Sequence, residues 1–118
     1  MAGTFKLYRC PEFAVIELAG PATAEDFAQA IATVAAFTRH GGDRRALANL
    51  LAVEGQLAFT QHFQMGHQVA RQLGHLERMA SVVPEDKITR TSEKVAQSLG
   101  MTLRVFTRLD QAQAWLRG

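Results

Sequence analysis

The stretch "ANLLAVEGQLAFTQHF" (residues 48–63) predicts a buried strand that runs through a short turn into a helix. The strand begins at Ala46, because residues 46–53 form a nearly continuous apolar run, typical of a strand buried on both faces. Small and apolar residues then recur at helical spacing up to Gly74. In an α/β protein this junction lies at the carboxyl end of a strand, where binding and catalytic sites usually form.

Strand and helix patterns alternate on both sides of this junction. Two short strand patterns, separated by a turn short enough for a hairpin, come first, and every later strand is followed by a helix. The pairs Thr23/Asp26 and Thr107/Asp110 predict capped helix starts. The predicted strands are 5–9, 13–19, 46–53, 78–83 and 102–106, and the predicted helices are 23–41, 56–74, 92–99 and 107 onward.

The order β-β-α-β-α-β-α-β-α predicts a single α/β domain over residues 1–118. We expect a mostly parallel five-stranded sheet with four helices, in which the hairpin makes the first strand antiparallel. A chain of 118 residues with 47% apolar and 20% charged residues can bury a self-sufficient core.

Charge and cysteine content exclude several classes of protein. The net charge is +2 and the arginines are scattered among acidic residues, so no basic stripe for nucleic acid is present. Cys10 is the only cysteine, which rules out an internal disulfide and a structural zinc site. The N-terminus has no apolar run long enough for a signal peptide or a membrane span. We therefore expect a cytoplasmic protein without stable membrane insertion.

No motif of an enzyme or of a cofactor site follows any predicted strand. The sequence has no Gly-x-Gly-x-x-Gly, no phosphate loop ending in Gly-Lys-Ser/Thr and no Gly-x-Ser-x-Gly. Four charged residues follow strand ends and could converge as acid, base and anion clamp: Glu54, Asp86, Lys87 and Arg108. Solvated loop charges are the simpler interpretation. We therefore expect no cofactor and no enzymatic activity.

The histidines do not have the spacing of a metal site. His62 and His67 are five residues apart on one predicted helix, about 140° around its axis, and His75 lies roughly 12 Å beyond His67. His62 falls on the apolar face of this helix together with Gly66, which we expect to let the helix approach the sheet closely. We interpret His62 as a hydrogen-bonded core or edge residue, with pH sensing or lining a cavity as the alternative.

The opposite face of the same helix is polar but almost uncharged. It carries the glutamine row, Gln61, Gln64, Gln68 and Gln72. Neutral amides cost less to bury than charges, so this face is a candidate interface for a protein partner or for a second copy in a dimer. A merely solvated, glutamine-rich face is the simpler alternative.

A carrier of a small apolar or lipid-like ligand is the alternative function. It is based on large, adaptable side chains near one potential crevice, namely Phe59, Phe63, Met65 and Met79. Residues of these types at helical spacing are more often ordinary core residues.

Three segments carry a resemblance to a known family. The segment "LRVFTRLDQAQAWL" (residues 103–116) resembles the ending of the SpoIIAA-like branch of the STAS-like superfamily, with Ala112, Trp115 and Leu116 at the expected places. "MASVVP" (79–84) is similar to the family's penultimate core strand, and "LAGPATAEDFAQAI" (18–31) to its strand-turn-helix opening. The resemblance implies a small β-β-α-β-α-β-α-β-α binding or regulatory module. It also implies a fold similar to that of CRAL-TRIO lipid-exchange domains, which is compatible with the carrier alternative.

The chain departs from this family at one functional position. In STAS anti-sigma-factor antagonists the strand before the second helix ends near an Asp-Ser pair, and phosphorylation of the serine controls partner binding. The corresponding turn here, residues 54–58, has no serine or threonine, and Thr60 already lies within the helix. A phosphate at a helix start acts through the free amides and the helix dipole. The resemblance therefore implies a self-associating, partner-binding module that lacks the phospho-acceptor.

Overall fold

The structure, a computed structural model, describes residues 4–118 apart from Gln56 and Thr89, and for Phe59 it describes the backbone alone. The described strands are β1 (Thr4–Arg9), β2 (Ala14–Pro21), β3 (Arg45–Glu54), β4 (Arg78–Val82) and β5 (Leu103–Phe106). The helices are α1 (Ala24–Gly41), α2 (Phe59–Leu73), α3 (Thr91–Ser98) and α4 (Leu109–Arg117), and a 3-10 turn, Glu85–Lys87, follows β4. The predicted fold class and element order are confirmed.

The strands form one sheet in the order in which they occur in the chain. β1 pairs antiparallel with β2, and the turn between them is closed by the Cys10 N–H, which donates to the Phe13 carbonyl at 2.8 Å. β2, β3, β4 and β5 are parallel neighbours. Because successive parallel crossovers share the right-handed sense, α1, α2 and α3 lie side by side on one face of the sheet. α4 packs against β3, β4 and β5 from the other face.

Each face of the sheet has its own apolar core. The larger core, beneath α1–α3, includes Ile16, Ile31, Val34, Leu73, Met79 and Leu103. The smaller core, beneath α4, includes Phe13, Val15, Leu47, Val82 and Leu116. Trp115 anchors α4, since its ring centroid lies 5.7 Å from that of Phe106 and its carbonyl accepts a 2.6 Å hydrogen bond from Arg78. The terminal helix is therefore fixed to the sheet.

β3 is buried on both faces only in its first half. Ala46, Leu47 and Ala48 are buried, but Leu51 is 40% exposed and Ala52 is also exposed. The reason is the length of α4, whose nine residues span about 13 Å. α4 ends at the starts of the strands, where Arg45 of β3 donates to the Leu116 carbonyl. The prediction of a strand buried throughout is therefore wrong for the second half of β3.

The two predicted helix caps have different outcomes. At α1 the Asp26 N–H donates to Thr23 Oγ1 at 3.2 Å, and the Thr23 N–H donates to the Asp26 carboxylate at 2.8 Å, which confirms the capping box. At α4 the N-cap is Arg108, which provides no side-chain cap. The Asp110 carboxylate instead accepts from the Arg108 guanidinium at 3.2 Å. The predicted Thr107/Asp110 cap is wrong, because this local ion pair takes up the carboxylate.

Gly66 brings two helices together rather than a helix and the sheet. A Cβ atom at this buried position would lie 2.8 Å from the Ser92 carbonyl oxygen and 2.8 Å from Val95 Cβ, both on α3. Side-chain carbon atoms essentially never approach so closely, so only glycine permits this spacing of α2 and α3. The expected close approach exists, but its partner is α3.

We expect Gly66→Ala to lower the free energy of unfolding by about 1–2 kcal/mol. Overpacking costs about 1–3 kcal/mol and outweighs the gain of about 1 kcal/mol that alanine usually brings to a helix. Urea denaturation measures this difference. Arg71→Ala, at an exposed position of the same helix, is the control and should change stability by no more than about 0.5 kcal/mol. Unchanged or increased stability of Gly66→Ala would contradict the inferred contact.

Candidate functional site

A cavity of about 360 Å³ lies where the parallel strands end and the helices α1, α2 and α3 begin. This is the edge at which α/β sheets usually bind ligands. Its walls are mostly apolar and come from the sheet, the helices and the loops after the strands; they include Phe27, Leu50, Val53, Met65, Val83 and Val105. The sequence predicted a crevice at this location and proposed apolar residues near it, but it did not identify most of the lining, because the lining depends on how α1 and α2 lie over the sheet.

A second, smaller cavity of about 60 Å³ lies next to the first, between the sheet and helices α1 and α2. The two cavities have four lining residues in common, namely Phe27, Leu50, Met65 and Ser81. These shared walls bring the strand-end cavity to the edge of the larger core. A ligand of the first cavity would therefore contact the inner part of the fold, not only the loops.

The four charged residues predicted to meet at the strand ends do not converge. Asp86 and Lys87 line the cavity, and Lys87 Nζ donates to the Val53 carbonyl at 2.7 Å. Glu54 is exposed and does not line it. Arg108 also lies outside the lining and forms an ion pair with Asp110 at 3.2 Å, a contact that lowers the pKa of Asp110. These four residues therefore do not provide an acid, a base and an anion-binding group that could act together on one substrate.

His62 lines the cavity and is half-buried. Its Nδ1 atom is buried and has no hydrogen-bond partner among the described residues, so the interpretation as a hydrogen-bonded core residue is wrong for this nitrogen. The alternative, that His62 lines a cavity, is confirmed. Burial lowers the pKa of His62 from its ordinary value of 6.5, because an apolar wall disfavours the charged imidazolium. The imidazole is therefore neutral at pH 7.

The glutamine row has a mixed structural role. Gln61 lies at the start of α2, where its Oε1 accepts a 2.8 Å hydrogen bond from the Ala58 N–H. Gln64 is exposed, whereas Gln68 and Gln72 are half-buried, and Arg39 of α1 donates to the Gln72 carbonyl at 2.9 Å. Gln64 and Gln68 are thus the members best placed to meet a partner. The role of this row as an interface stays a prediction.

Only one of the four side chains that motivated the carrier hypothesis lies in the main cavity. Met65 lines it, whereas Met79 lines the smaller one and Phe63 is 44% exposed, with its ring 4.9 Å from that of His67. The side chain of Phe59 lies outside the described residues. Sequence reasoning missed Phe27, although its place at the start of α1 puts it near the strand ends.

Two further properties concern the described part of the chain. Among the described residues, which are 4–118 apart from Gln56 and Thr89, no group of three or more His, Cys, Asp or Glu side chains is arranged to hold a metal ion. In the same residues, none of the helices has the length and apolarity required to cross a membrane.

The sequence profile of the SpoIIAA-like family matches residues 13–117, almost the entire chain. The chain belongs to the SpoIIAA-like family. This confirms the resemblance inferred from the three sequence segments. No curated protein matches the sequence significantly.

Three solved structures share the fold of this SpoIIAA-like chain. An anti-sigma factor antagonist from Mycobacterium paratuberculosis is 18% identical with a TM-score of 0.65, covering 99% of this chain and 96% of the other. The unphosphorylated anti-sigma factor antagonist SpoIIAA is 19% identical with a TM-score of 0.61, covering 98% and 99%. An uncharacterised protein with a SpoIIAA-like fold from Shewanella loihica is 18% identical with a TM-score of 0.57, covering 98% and 93%. At such low identity the likeness establishes the fold alone.

We expect the free energy of unfolding to decrease as the pH falls from 7.5 to 5.5, and His62→Leu to reduce this decrease. The pKa of His62 is lowered in the folded state, so below about pH 6.5 the unfolded chain binds the proton first and is favoured. The pKa of His75 is lowered by burial and by the nearby Arg39, so His75→Gln should act in the same direction.

Urea denaturation at several pH values measures this dependence. The informative quantity is the difference between the two pH values within each variant, since both substitutions also change packing. A His62→Leu protein with the same pH dependence as the parent would contradict the inferred neutral, buried imidazole.

Proposed function

We propose that this SpoIIAA-like chain is a cytoplasmic, non-enzymatic regulatory module that acts by binding a protein partner. Family membership supports the proposal, and so does a fold shared over nearly the whole chain with two anti-sigma factor antagonists. The observation that carries the non-enzymatic part is the dispersion of the predicted charged residues. Of the four, only Asp86 and Lys87 line the strand-end cavity, and Arg108 is occupied by Asp110.

The proposed module works without a phospho-acceptor in the turn before α2, residues 54–58. The turn before α2 has no hydroxyl side chain, and the free amide of Ala58 is already paired with Gln61. A phosphate at a helix start acts through such free amides, so this turn offers neither the acceptor residue nor an unused Ala58 amide. Partner binding would then be controlled by concentration, by self-association or by a ligand.

The outer face of α2 is the surface that we propose for self-association. Gln64 is exposed there, and Phe63 and His67, one helical turn away from each other, form an exposed aromatic pair. Uncharged amides beside an exposed aromatic ring have the composition of interface cores, where charges are depleted and aromatic residues are enriched. A dimer through this face would place the same residues of two copies opposite each other.

We expect Gln64→Glu/Gln68→Glu to weaken dimerisation at least tenfold. A two-fold interface would bring the new carboxylates of both copies together, and like charges across an interface are strongly unfavourable. Sedimentation velocity over a range of concentrations measures the effect. Gln111→Glu, which introduces a charge at an exposed position of α4, is the control and should dimerise like the parent. A parent protein that remains monomeric at high concentration would refute self-association.

The cavity supports a second candidate function, the carriage of a small apolar or lipid-like ligand. Its volume of about 360 Å³ lies at the lower end of the range of about 300–1,000 Å³ that is typical of small-molecule sites. Its walls are mainly apolar, as in such sites, and they also carry polar side chains, namely His62, Ser81, Asp86, Lys87, Thr91 and Ser92. An apolar ligand that displaces water from such a pocket gains free energy, because the apolar wall area is then removed from water.

We expect the neutral apolar dye N-phenyl-1-naphthylamine to bind this cavity with increased fluorescence. Ser81→Phe should abolish the increase, because Ser81 lines both cavities and a phenyl ring there would occupy their shared part. Gln111→Phe adds the same ring at an exposed site on α4 and is the control. Native mass spectrometry of the freshly purified protein would show a carried ligand as a mass lost on activation. A parent protein that binds no dye and carries no adduct would exclude the carrier function.

A further inference from the structure

Lys87 places one positive charge at the rim of the apolar cavity. It is half-buried, and its Nζ donates at 2.7 Å to the carbonyl of Val53, which also lines the cavity. An ammonium group has three N–H donors, and the carbonyl takes only one of them. Among the described residues that line the cavity, Lys87 is the only lysine or arginine. Donor capacity and positive charge are therefore both available to a ligand at this point.

No carboxylate in the described part of the protein forms an ion pair with Lys87. All aspartates and glutamates of the chain lie in its described part, and none of their ion pairs involves Lys87. Asp86, the neighbouring residue, is exposed and lies on the same rim. The contact of Nζ with a single carbonyl leaves its positive charge without a charged partner. An anion at the rim would supply the missing counter-charge.

The rest of the lining fixes the orientation of such a ligand. On the side of the larger core the walls are apolar, with Phe27, Leu50 and Met65, whereas the rest of the lining also includes polar residues: His62, Ser81, Asp86, Thr91 and Ser92. The imidazole of His62 is neutral and does not compete for an anion there. An aliphatic body therefore packs best against the apolar side, with the charged end at Lys87. The Asp86 carboxylate repels negative charge, and because this repulsion grows with the charge of the head group, one negative charge is favoured over two or more.

We propose that the cavity binds an amphiphile with one negative charge, such as a monocarboxylate with an aliphatic body, whose head group pairs with Lys87. This inference rests on the carrier function proposed above and names the ligand chemistry of that same site. The carboxylate would accept from the two remaining Nζ donors, while the aliphatic body would cover apolar wall area that otherwise faces water.

Competition against the bound naphthylamine dye tests the proposal with two probes of equal chain length, decanoate and decanol, at pH 7.5. We expect decanoate to bind the parent about tenfold more tightly than decanol, since only the carboxylate forms a charge-assisted hydrogen bond with Lys87. In Lys87→Met this preference should disappear, whereas Lys87→Arg should retain most of it. Lys94→Met, at an exposed site of α3 outside the cavity, should keep the parental ratio.

The ratio of the affinities for decanoate and decanol distinguishes a loss of head-group recognition from a general disturbance of the cavity. A variant that merely loosens the loop after β4 weakens both probes and leaves their ratio unchanged. Equal binding of decanoate and decanol to the parent would overturn the head-group proposal and leave the carrier function intact, and so would a parental ratio in Lys87→Met. If neither probe nor dye binds the parent, the carrier function itself fails.

Discussion

The close contact between α2 and α3 at Gly66 sets the geometry on which the rest of the site depends. Gly66 touches the backbone of Ser92, and Ser92 lines the cavity. On α2, His62 and Met65 line the cavity from the turn that precedes this contact. The glycine therefore fixes the distance between two walls of the same space. Any residue with a Cβ atom would move them apart, because the atoms that it would meet include backbone.

The sequence predicted the fold well because its decisive signals are local. Strand and helix periodicities and the Thr23/Asp26 cap depend on residues a few positions apart, and together they define the order of elements. Once the order is known, the handedness of parallel crossovers places α1, α2 and α3 on one face. The errors concern contacts between distant elements. The exposure of Leu51 depends on how far α4 reaches, and the partner of Gly66 depends on the position of α3.

The sequence predicted where the candidate site lies, but not the contacts of its charged residues or most of its apolar lining. The sequence marks the strand ends, and Asp86 and Lys87 do line the cavity there. It does not show that Lys87 reaches back across the loops to a carbonyl of β3, or that Arg108 is taken up by Asp110. Charged residues near strand ends can be mistaken for catalytic groups in a sequence, because the sequence does not show in which direction their side chains point. The apolar character comes from residues such as Val105, which in the sequence cannot be told from ordinary core residues.

The two proposed functions share one helix, and this has a thermodynamic consequence. α2 contributes His62 and Met65 to the cavity and presents Gln64 and Phe63 to the outside. If α2 can lie in two placements over the sheet, a ligand that binds more tightly to one of them shifts the protein toward that placement. If the ligand thereby changes the affinity of the outer face for its partner by some factor, the partner must change the affinity of the cavity for the ligand by the same factor. Control by a ligand would thus act on the same helix that presents the proposed interface. In this chain the turn before that helix, residues 54–58, has no serine or threonine, while Gly55 and Leu57 of the turn line the cavity.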